Sequence, residues 1–289
     1  MKGLSSVEDT LKGATQRLNH SGSDSPSLDA SVLLCHALDK PRSFLLTWPD
    51  KILSMEETGA FEEMLERRIK GEPIAYIVGE REFWSLPLQV SPSTLIPRSD
   101  TERLVEIALE KAPQLQGDIL DLGTGTGAIA LAIASELPQR TVWGIDVKEE
   151  ARILAESNAS KLGINNTHFL TGDWFSPLKD GCQFALIVSN PPYIEKHDPH
   201  LAKGDVRFEP LSALVAEDNG LSDIKYIAKH AMGFLKPDGW LMFEHGYDQG
   251  DSVRNILGAL GYQNMTTYKD YGENDRVTIG QLSLCQEEK

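Results

Sequence analysis

The chain is organised around the stretch Ile119-Leu120-Asp121-Leu122-Gly123-Thr124-Gly125-Thr126-Gly127. Its apolar start is typical of a buried strand, and its glycines form a turn into a helix predicted over residues 128–136. Glycine lets a backbone approach a ligand closely, and a helix N-terminus offers free N–H groups to a carboxylate or a phosphate. The stretch therefore predicts a ligand site where a strand passes into a helix.

Strand and helix patterns alternate on both sides of this turn, with further helices predicted from Asp100 to about residue 109 and over about 250–260. Such alternation is typical of a mostly parallel sheet with helices on both faces. Strands are predicted at residues 118–122, 141–145, 167–171, 184–188 and 240–243, followed by an antiparallel pair at 264–269 and 276–281. The fold class is therefore predicted as α/β, with a Rossmann-like, doubly wound sheet of seven strands.

The amino-terminal part carries three helix-start signals. Ser5-Ser6-Val7-Glu8 and Ser54-Met55-Glu56-Glu57 both have the Ser-x-x-Glu form of a capping box, and Ser25-Pro26 places a proline at the first helical position. The apolar spacing between them suits a small helical bundle. Gly71-Glu72-Pro73 then breaks the last helix, and residues 83–90 are predicted to form a strand pair. We therefore predict an all-α domain over residues 1–73, a β-hairpin linker over 74–97 and the α/β domain over 98–289.

The composition disfavours several classes of protein. The 289 residues carry 28 basic against 43 acidic side chains, and the formal charge of −15 disfavours a protein that tracks many phosphates. No apolar run reaches the roughly 18 residues that span a bilayer, and the first residues lack a secretory signal. Cys35, Cys182 and Cys285 are widely spaced, so neither a disulfide framework nor a zinc site is indicated. The expected location is the cytoplasm.

A stiff loop follows the fourth predicted strand, in the stretch Val188-Ser189-Asn190-Pro191-Pro192-Tyr193. Its two prolines remove two backbone N–H donors and hold Asn190 and Pro191 out of the α region, so the loop offers mainly acceptors. Such a loop suits an –NH2 group. The structural alternative is a proline-stiffened strand exit, because turns use the same residues.

Two acidic side chains are predicted at the same sheet edge. Asp146 ends the second strand, where a carboxylate accepts hydrogen bonds from ribose hydroxyls, and Asp173 follows the third strand. Asp173 could accept from an adenine amino group while Trp174 stacks on the ring, although a core tryptophan after a turn is the alternative. The glycine turn also fits a dinucleotide fingerprint, so it does not separate a nicotinamide cofactor from S-adenosylmethionine.

Other charged residues give weaker indications of function. His197 and His200 lack further ligands at useful spacing, and we predict no metal site. Arg207 and Glu209 either order a loop over the site or pair with each other. Glu244-His245 lies at the end of the fifth strand and could line the pocket, although the histidine is expected to be a satisfied structural residue.

Six segments resemble the release-factor glutamine N5-methyltransferases, the PrmC/HemK family of S-adenosylmethionine-dependent methyltransferases. They are Leu95-Ile96-Pro97-Arg98-Ser99-Asp100-Thr101-Glu102, the glycine stretch 121–127, Gly172-Asp173-Trp174-Phe175, Asn190-Pro191-Pro192-Tyr193-Ile194, Val206-Arg207-Phe208-Glu209-Pro210 and Phe243-Glu244-His245-Gly246. The glycine stretch is generic to the superfamily, whereas the segments around Arg98 and Arg207 are specific to the family. Ser99 departs from the family, which favours proline there.

The resemblance implies the substrate, which is the glutamine in the Gly-Gly-Gln loop of class I peptide-chain release factors. It also implies that the helical domain helps to hold this partner. The site suits an amide, because the Asn190 side-chain oxygen and the Pro191 carbonyl can accept from the –NH2 group and align its lone pair with the methyl donor. Tyr193 is expected to pack against the amide plane, and no charged base is needed.

These considerations predict three sets of site residues. The catalytic set is Asn190, Pro191 and Tyr193. The cofactor set is Gly123, Thr124, Gly125, Thr126, Gly127, Asp146, Asp173, Trp174 and Asn190. The substrate set is Asn190, Pro191, Pro192, Tyr193 and Arg98. The chain is expected to use S-adenosyl-L-methionine, to yield S-adenosyl-L-homocysteine, and to act as a monomer that contacts neither nucleic acid nor membrane.

Three alternatives remain open at this stage. An adenine-N6 methyltransferase shares the glycine turn and Asn-Pro-Pro-Tyr, but the charge of −15 disfavours it. A nicotinamide oxidoreductase would leave the two prolines unexplained. A release-factor-binding module that only senses the cofactor is disfavoured by the intact Asn190 and glycine turn.

Overall fold

The computed structural model describes residues 5–283, so Cys285 lies outside the described residues. The chain divides into two compact units. The first comprises Met1–Glu80 and His200–Phe208, and the second comprises Arg81–Pro199 and Glu209–Lys289. The domain bounds predicted at residues 73 and 97 stay predictions.

Helices dominate the first unit. Those described up to residue 80 are α1 (Val7–His20), α2 (Pro26–Leu38), α3 (Arg42–Thr47), α4 (Met55–Ile69) and α5 (Ile74–Val78). The apolar stripes of α1, α2 and α4 meet in one core, in which Leu18, Leu33 and Phe61 are fully buried. The predicted all-α bundle is confirmed, and α5 extends helical structure into the start of the predicted linker.

The helix starts agree with the sequence in two cases and differ in one. Ser54 and Glu57 form the predicted capping box, because the Glu57 N–H donates to Ser54 Oγ (3.1 Å) and the Ser54 N–H donates to Glu57 Oε2 (2.7 Å). Pro26 is the first residue of α2, as predicted. The box predicted from Ser5 is wrong by one residue, since Ser6 has the extended backbone of an N-cap and accepts from the Asp9 N–H at 3.1 Å.

We expect Ser54→Ala to lower the free energy of unfolding by about 1 kcal/mol, because it removes the cap acceptor of α4 and one half of the box. Urea denaturation followed by circular dichroism measures this. Ser31→Ala is the matched control, since Ser31 lies within α2 and donates only to the Ser27 carbonyl. Equal stabilities of the two variants would contradict a role for the box.

A β-hairpin follows α5. Its strands are β1 (Glu80–Phe83) and β2 (Leu86–Gln89), so the predicted strand pair is confirmed. The turn residues Trp84 and Ser85 both have positive φ, at 53° and 58°, which matches the twist of a two-residue hairpin turn. The Trp84 N–H donates to Glu102 Oε1 at 2.9 Å, and this bond helps to hold a conformation that non-glycine residues seldom adopt.

A seven-stranded sheet forms the centre of the second unit, as predicted. Its strands are β3 (Asp118–Leu122), β4 (Val142–Asp146), β5 (Thr167–Thr171), β6 (Phe184–Ser189), β9 (Leu235–Glu244), β10 (Gln263–Lys269) and β11 (Asp275–Gln281). Their order is β10-β11-β9-β6-β3-β4-β5, and β11 runs antiparallel to both of its neighbours. Two short strands, β7 (Ile194–Glu195) and β8 (Val215–Ala216), pair separately and were not predicted.

Helices cover both faces of this sheet. They are α6 (Glu102–Lys111), α7 (Ala128–Glu136), α8 (Glu149–Leu162), α9 (Glu217–Gly220), α10 (Ser222–Ala231) and α11 (Gly250–Ala259). One apolar cluster contains residues of α6, α7 and α8, and the other contains residues of α10 and α11. The doubly wound α/β fold is therefore confirmed. Among the described residues, no helix is both long and apolar enough to cross a membrane.

The strand order fixes where a ligand can bind. From β3 the chain moves outward through β4 to β5, then returns to β6 on the other side of β3 and continues to β9. The connections therefore leave β3 and β6 in opposite directions, which opens a crevice at their carboxyl ends. The glycine turn follows β3, and the Asn-Pro-Pro-Tyr loop follows β6.

Candidate active site

The glycine turn is closed by a buried carboxyl group at the end of β3. Asp121 Oδ2 accepts from the Thr124 hydroxyl at 2.7 Å and from the Ala130 N–H at 3.3 Å. Gly123, Gly125 and Gly127 all have positive φ, so the turn uses a conformation in which a side chain would be strained. Asp121 thus connects the turn to the first residues of α7.

Asp121 itself was not predicted as a site residue. Its side chain is fully buried, and its Oδ1 has no hydrogen-bond partner among the described residues. Burial raises the pKa of the Asp121 carboxyl to about 7, against the opposing effect of the Thr124 and Ala130 hydrogen bonds. The buried Asp121 carboxyl therefore stabilises the turn through its hydrogen bonds with Thr124 and Ala130.

Asp146 at the end of β4 is bound to the same turn. Its Oδ2 accepts from the Gly125 N–H at 2.9 Å, and its Oδ1 accepts from the Lys148 N–H at 3.0 Å. A carboxylate has about four lone-pair positions, so both oxygens can accept further hydrogen bonds. The residue is therefore available to ribose hydroxyls while it orders the backbone of the turn.

Trp174 and Asp173 lie across the turn. The backbone of Trp174 is left-handed (φ 46°), and its ring atom Cζ3 lies 3.7 Å from where a Cβ would stand on Gly123. Asp173 is exposed, and Asp223 of α10 lines the same cavity. Burial raises the pKa of the Asp223 carboxyl, and the charge of Asp173 raises it further. Asp223 was not predicted, because no local motif marks it.

A cavity of about 270 Å³ joins these groups at the carboxyl edge of the sheet. The structure brings together ten of the predicted site residues in its lining: Arg98, Gly123, Thr124, Gly125, Thr126, Asp146, Asp173, Trp174, Asn190 and Pro192. It does not place Gly127, Pro191 or Tyr193 in that lining. Thr101 lines the cavity as well; it lies in the segment around Arg98 but was not predicted as a site residue.

Asn190 presents its side chain beside this cavity. Its Nδ2 donates to the Thr101 hydroxyl at 3.4 Å, and no hydrogen bond to its Oδ1 is seen within residues 5–283. The preceding Ser189 is fixed, because its hydroxyl donates to the Leu122 carbonyl at 2.8 Å and joins β6 to β3. The acceptor end of the Asn190 amide is therefore available to a ligand, on a well-anchored strand end.

Tyr193 does not line the cavity and is half-buried. Burial together with the nearby Glu244 carboxylate raises the pKa of its phenol well above the ordinary value. Its carbonyl accepts from Gln249 Nε2 at 3.1 Å. The expectation that Tyr193 packs against a substrate amide stays a prediction.

Arg98 is held by an acidic partner. Its Nη2 lies 2.6 Å from Glu209 Oε1, and the Glu209 side chain is fully buried. Sequence reasoning had left open whether Glu209 pairs with Arg207. Arg207 lies over the ring of Phe208, with 5.0 Å between its Cζ and the ring centroid.

Asn158 on α8 is a further residue that sequence reasoning missed. It is fully buried, and its Nδ2 donates to the carbonyls of Thr126 (2.9 Å) and Gln89 (3.0 Å). Its Oδ1 accepts from the Gln89 N–H at 2.8 Å. The side chain thus joins β2 to the glycine turn, through contacts that only the folded chain reveals.

The histidines have structural or exposed positions. His245 is fully buried and bonded to the Gly246 carbonyl (2.9 Å) and the Thr278 hydroxyl (2.7 Å), and burial lowers its pKa. Both ring nitrogens of His245 are therefore hydrogen-bonded, as expected for a structural histidine. His197 and His200 are exposed. Across the part of the chain that the structure describes, no group of three or more histidine, cysteine or acidic residues is arranged to hold a metal ion.

Comparison with known proteins agrees with this geometry. A family described as the PrmC N-terminal domain matches residues 9–79, and one described as the methyltransferase small domain matches residues 100–205. The release factor glutamine methyltransferase of Vibrio cholerae is 66% identical over 97% of this chain and 98% of its own length. That of Aliivibrio fischeri is 59% identical over 96% of this chain and 97% of its own.

A solved structure supports the fold alone. The catalytic domain of hMettl16, crystallised in complex with the MAT2A 3′UTR hairpin 1, is 13% identical and superposes with a TM-score of 0.58. The match covers 78% of this chain and 82% of that chain. Since near-full-length relatives carry one name at high identity, the chain belongs to the release factor glutamine methyltransferase family.

Proposed function

We propose that this protein transfers a methyl group from S-adenosyl-L-methionine to the side-chain amide nitrogen, N5, of the glutamine in the Gly-Gly-Gln motif of class I release factors. Methylation at that position modulates translation termination. The observation that carries the proposal is the meeting of the glycine turn, Asp146 and the Asn190 amide around one cavity. Family membership supplies the identity of the protein substrate.

The cavity fits the proposed methyl donor. Gly123 and Gly125 line it without side chains, and the Asp146 carboxylate stands at its edge with lone pairs to offer to ribose hydroxyls. Trp174 supplies an aromatic ring and Asp173 an acceptor at the same cavity, which suits an adenine with its amino group. When bound, S-adenosylmethionine supplies an electrophilic methyl group on a sulfonium and leaves as S-adenosyl-L-homocysteine.

The residues of the loop after β6 have to orient a poor nucleophile. An amide nitrogen attacks slowly, because its lone pair is delocalised into the carbonyl. Asn190 Oδ1 and the Pro191 carbonyl would accept the two N–H groups and hold that lone pair towards the methyl group, which is an effect of proximity and orientation. The nitrogen–carbon bond forms as the carbon–sulfur bond breaks. The resulting cation is acidic enough to lose its proton to water, so no charged base is required.

The helical unit, predicted over residues 1–73, would help to hold the release factor. We assign Arg98 and Pro192, which line the cavity, to the substrate side of the site together with Tyr193. The protein is further proposed to act as a monomer in the cytoplasm, where its release-factor substrate functions. It makes no direct contact with nucleic acid in this proposal, because the substrate is a protein.

Incubation with S-adenosylmethionine and a class I release factor tests the proposal. Peptide mass spectrometry should find one added methyl group on the glutamine of the Gly-Gly-Gln motif. A release factor with alanine in place of that glutamine is the control and should stay unmodified. An unmodified glutamine, under conditions where calorimetry shows the methyl donor bound, would reject the protein substrate and favour an amino group on nucleic acid.

A further inference from the structure

A row of polar side chains lies behind the Asn190 amide, contributed by three separate elements. Asn190 Nδ2 donates to Thr101 Oγ1 at 3.4 Å, and Thr101 is only 4% exposed. Next in this row is the carboxyl of Glu244, the last residue of β9, which is 1% exposed and whose pKa is lowered by the Thr101 hydroxyl acting as a hydrogen-bond donor. The row thus passes from the loop after β6, through the turn before α6, to the neighbouring strand.

The row ends at Glu244, a buried acid with several charged groups near it. Burial raises the pKa of the Glu244 carboxyl to about 7, and the negative charge of Asp100 also raises it. The Thr101 hydrogen bond and the cations of Arg276 and Arg98 oppose these effects. The Glu244 charge in turn raises the pKa of the nearby Tyr193 phenol, and Glu244 Oε2 has no hydrogen-bond partner among the described residues.

The protonation state of Glu244 affects which of the three groups donate hydrogen bonds and which accept them. An ionised carboxylate only accepts hydrogen bonds, whereas a hydroxyl has a single proton to donate. When Glu244 is ionised, Thr101 donates to it and offers a lone pair to Asn190 Nδ2. The Asn190 oxygen is then turned away from Thr101. A protonated Glu244 can itself donate to Thr101, which frees the hydroxyl proton for Asn190 Oδ1 and favours the flipped amide.

We propose that Thr101 and Glu244 are positioning residues that hold the Asn190 side chain with its oxygen, and not its nitrogen, towards the –NH2 group of the substrate. The inference rests on the proposed function, because it concerns the orientation that a methyl-accepting amide requires. A flipped Asn190 would present two N–H donors to the substrate's own N–H groups. The site would then repel the group that it has to align.

The proposal has a consequence for the pH dependence of the reaction. The Glu244 carboxylate forms as the pH rises through about 7, so the fraction of correctly oriented enzyme rises in the same window. We expect kcat to increase by up to about tenfold between pH 6 and pH 8. His245, the neighbouring residue, is already bonded at both ring nitrogens, and burial lowers its pKa.

Two variants test the relay. Thr101→Val keeps the shape of the side chain but removes its hydroxyl, and we expect kcat to fall by about tenfold while the Kd of S-adenosylmethionine changes by less than about threefold. Thr101→Ser should restore most of the rate. Glu244→Gln replaces the titrating group, so its kcat should be lower than that of the native protein at pH 8 and flat between pH 6 and pH 8.

A buried hydroxyl away from the relay provides the control. Tyr262→Phe also removes a buried hydroxyl from the second unit, one that donates to the Ala228 carbonyl at 2.8 Å, and its kcat and pH profile should match those of the native protein. A native-like pH profile in Glu244→Gln, or a native kcat in Thr101→Val, would overturn the relay while leaving the proposed function intact. Absence of methylation by the native protein would instead reject the proposed function. If Thr101→Val does not fold, the pH profile of Glu244→Gln decides.

Discussion

Asn190→Ala lowers kcat by about 10²-fold or more and leaves the Kd of S-adenosylmethionine within about threefold of the native value. The expected loss follows from the position of the Asn190 amide, whose Oδ1 is the free acceptor at the end of β6. An acceptor that aligns the substrate nitrogen acts mainly in the transition state, so its removal should affect turnover more than binding. Single-turnover kinetics and calorimetry measure the two quantities separately.

The structure offers a matched control for this substitution. Asn165 is exposed, and its Nδ2 donates only to the nearby Gly163 carbonyl at 3.2 Å, so Asn165→Ala should leave kcat unchanged. Asn190→Asp retains an oxygen acceptor but cannot donate to Thr101, and its rate should lie between the native protein and Asn190→Ala. Native turnover in Asn190→Ala would reject the alignment mechanism.

Local signals predicted most of the sheet. The β3 and β5 strands occupy the residues predicted for them, and the glycine turn lies between β3 and α7 as predicted. These features depend on a few adjacent residues, because a tight turn needs glycine and a buried strand needs consecutive apolar side chains. The order of the strands was not predicted, because the alternation of elements does not specify which strands become neighbours.

The strand β9 shows why some bounds were missed. It was predicted to begin at residue 240, but it begins at Leu235 and continues through Pro237-Asp238-Gly239. Those residues are typical of a turn, and Asp238 has positive φ. Pairing with β6 shifts register in this region, so the strand accommodates them in an irregular segment. The local sequence of β9 does not show that its pairing with β6 includes residues on both sides of this irregular segment.

The supporting residues of the site could not be predicted from local sequence. Thr101 and Asn190 are 89 residues apart, and Asn158 contacts Gln89 across 69 residues. Thr101 and Asn190 each lie in a recognisable segment, but no motif shows that either pair is in contact, since that depends on which elements the fold brings together. The residues predicted to contact a ligand belong to recognisable segments, whereas the contacts that hold them in place are specified by the three-dimensional packing.

Asp146 shows how the structure sharpens a prediction from sequence. Its place after the second strand predicted a contact with ribose hydroxyls. The structure adds that the same carboxylate accepts from the N–H groups of Gly125 and Lys148, so it also orders the glycine turn. Two effects of removing Asp146 are therefore possible, loss of the ribose contact and loss of the ordered turn, and a test has to separate them.

Asp146→Ala should weaken the binding of S-adenosylmethionine by about 100-fold, because hydrogen bonds to a charged group contribute about 1.5–3 kcal/mol each. Calorimetry measures this, with Asp251→Ala as the control, since Asp251 is exposed on α11. An analogue without the ribose hydroxyls separates the two effects. The native protein should bind it far more weakly than S-adenosylmethionine, whereas Asp146→Ala should hardly distinguish them. If both proteins discriminate equally between S-adenosylmethionine and the analogue, Asp146 orders the glycine turn but does not bind the ribose.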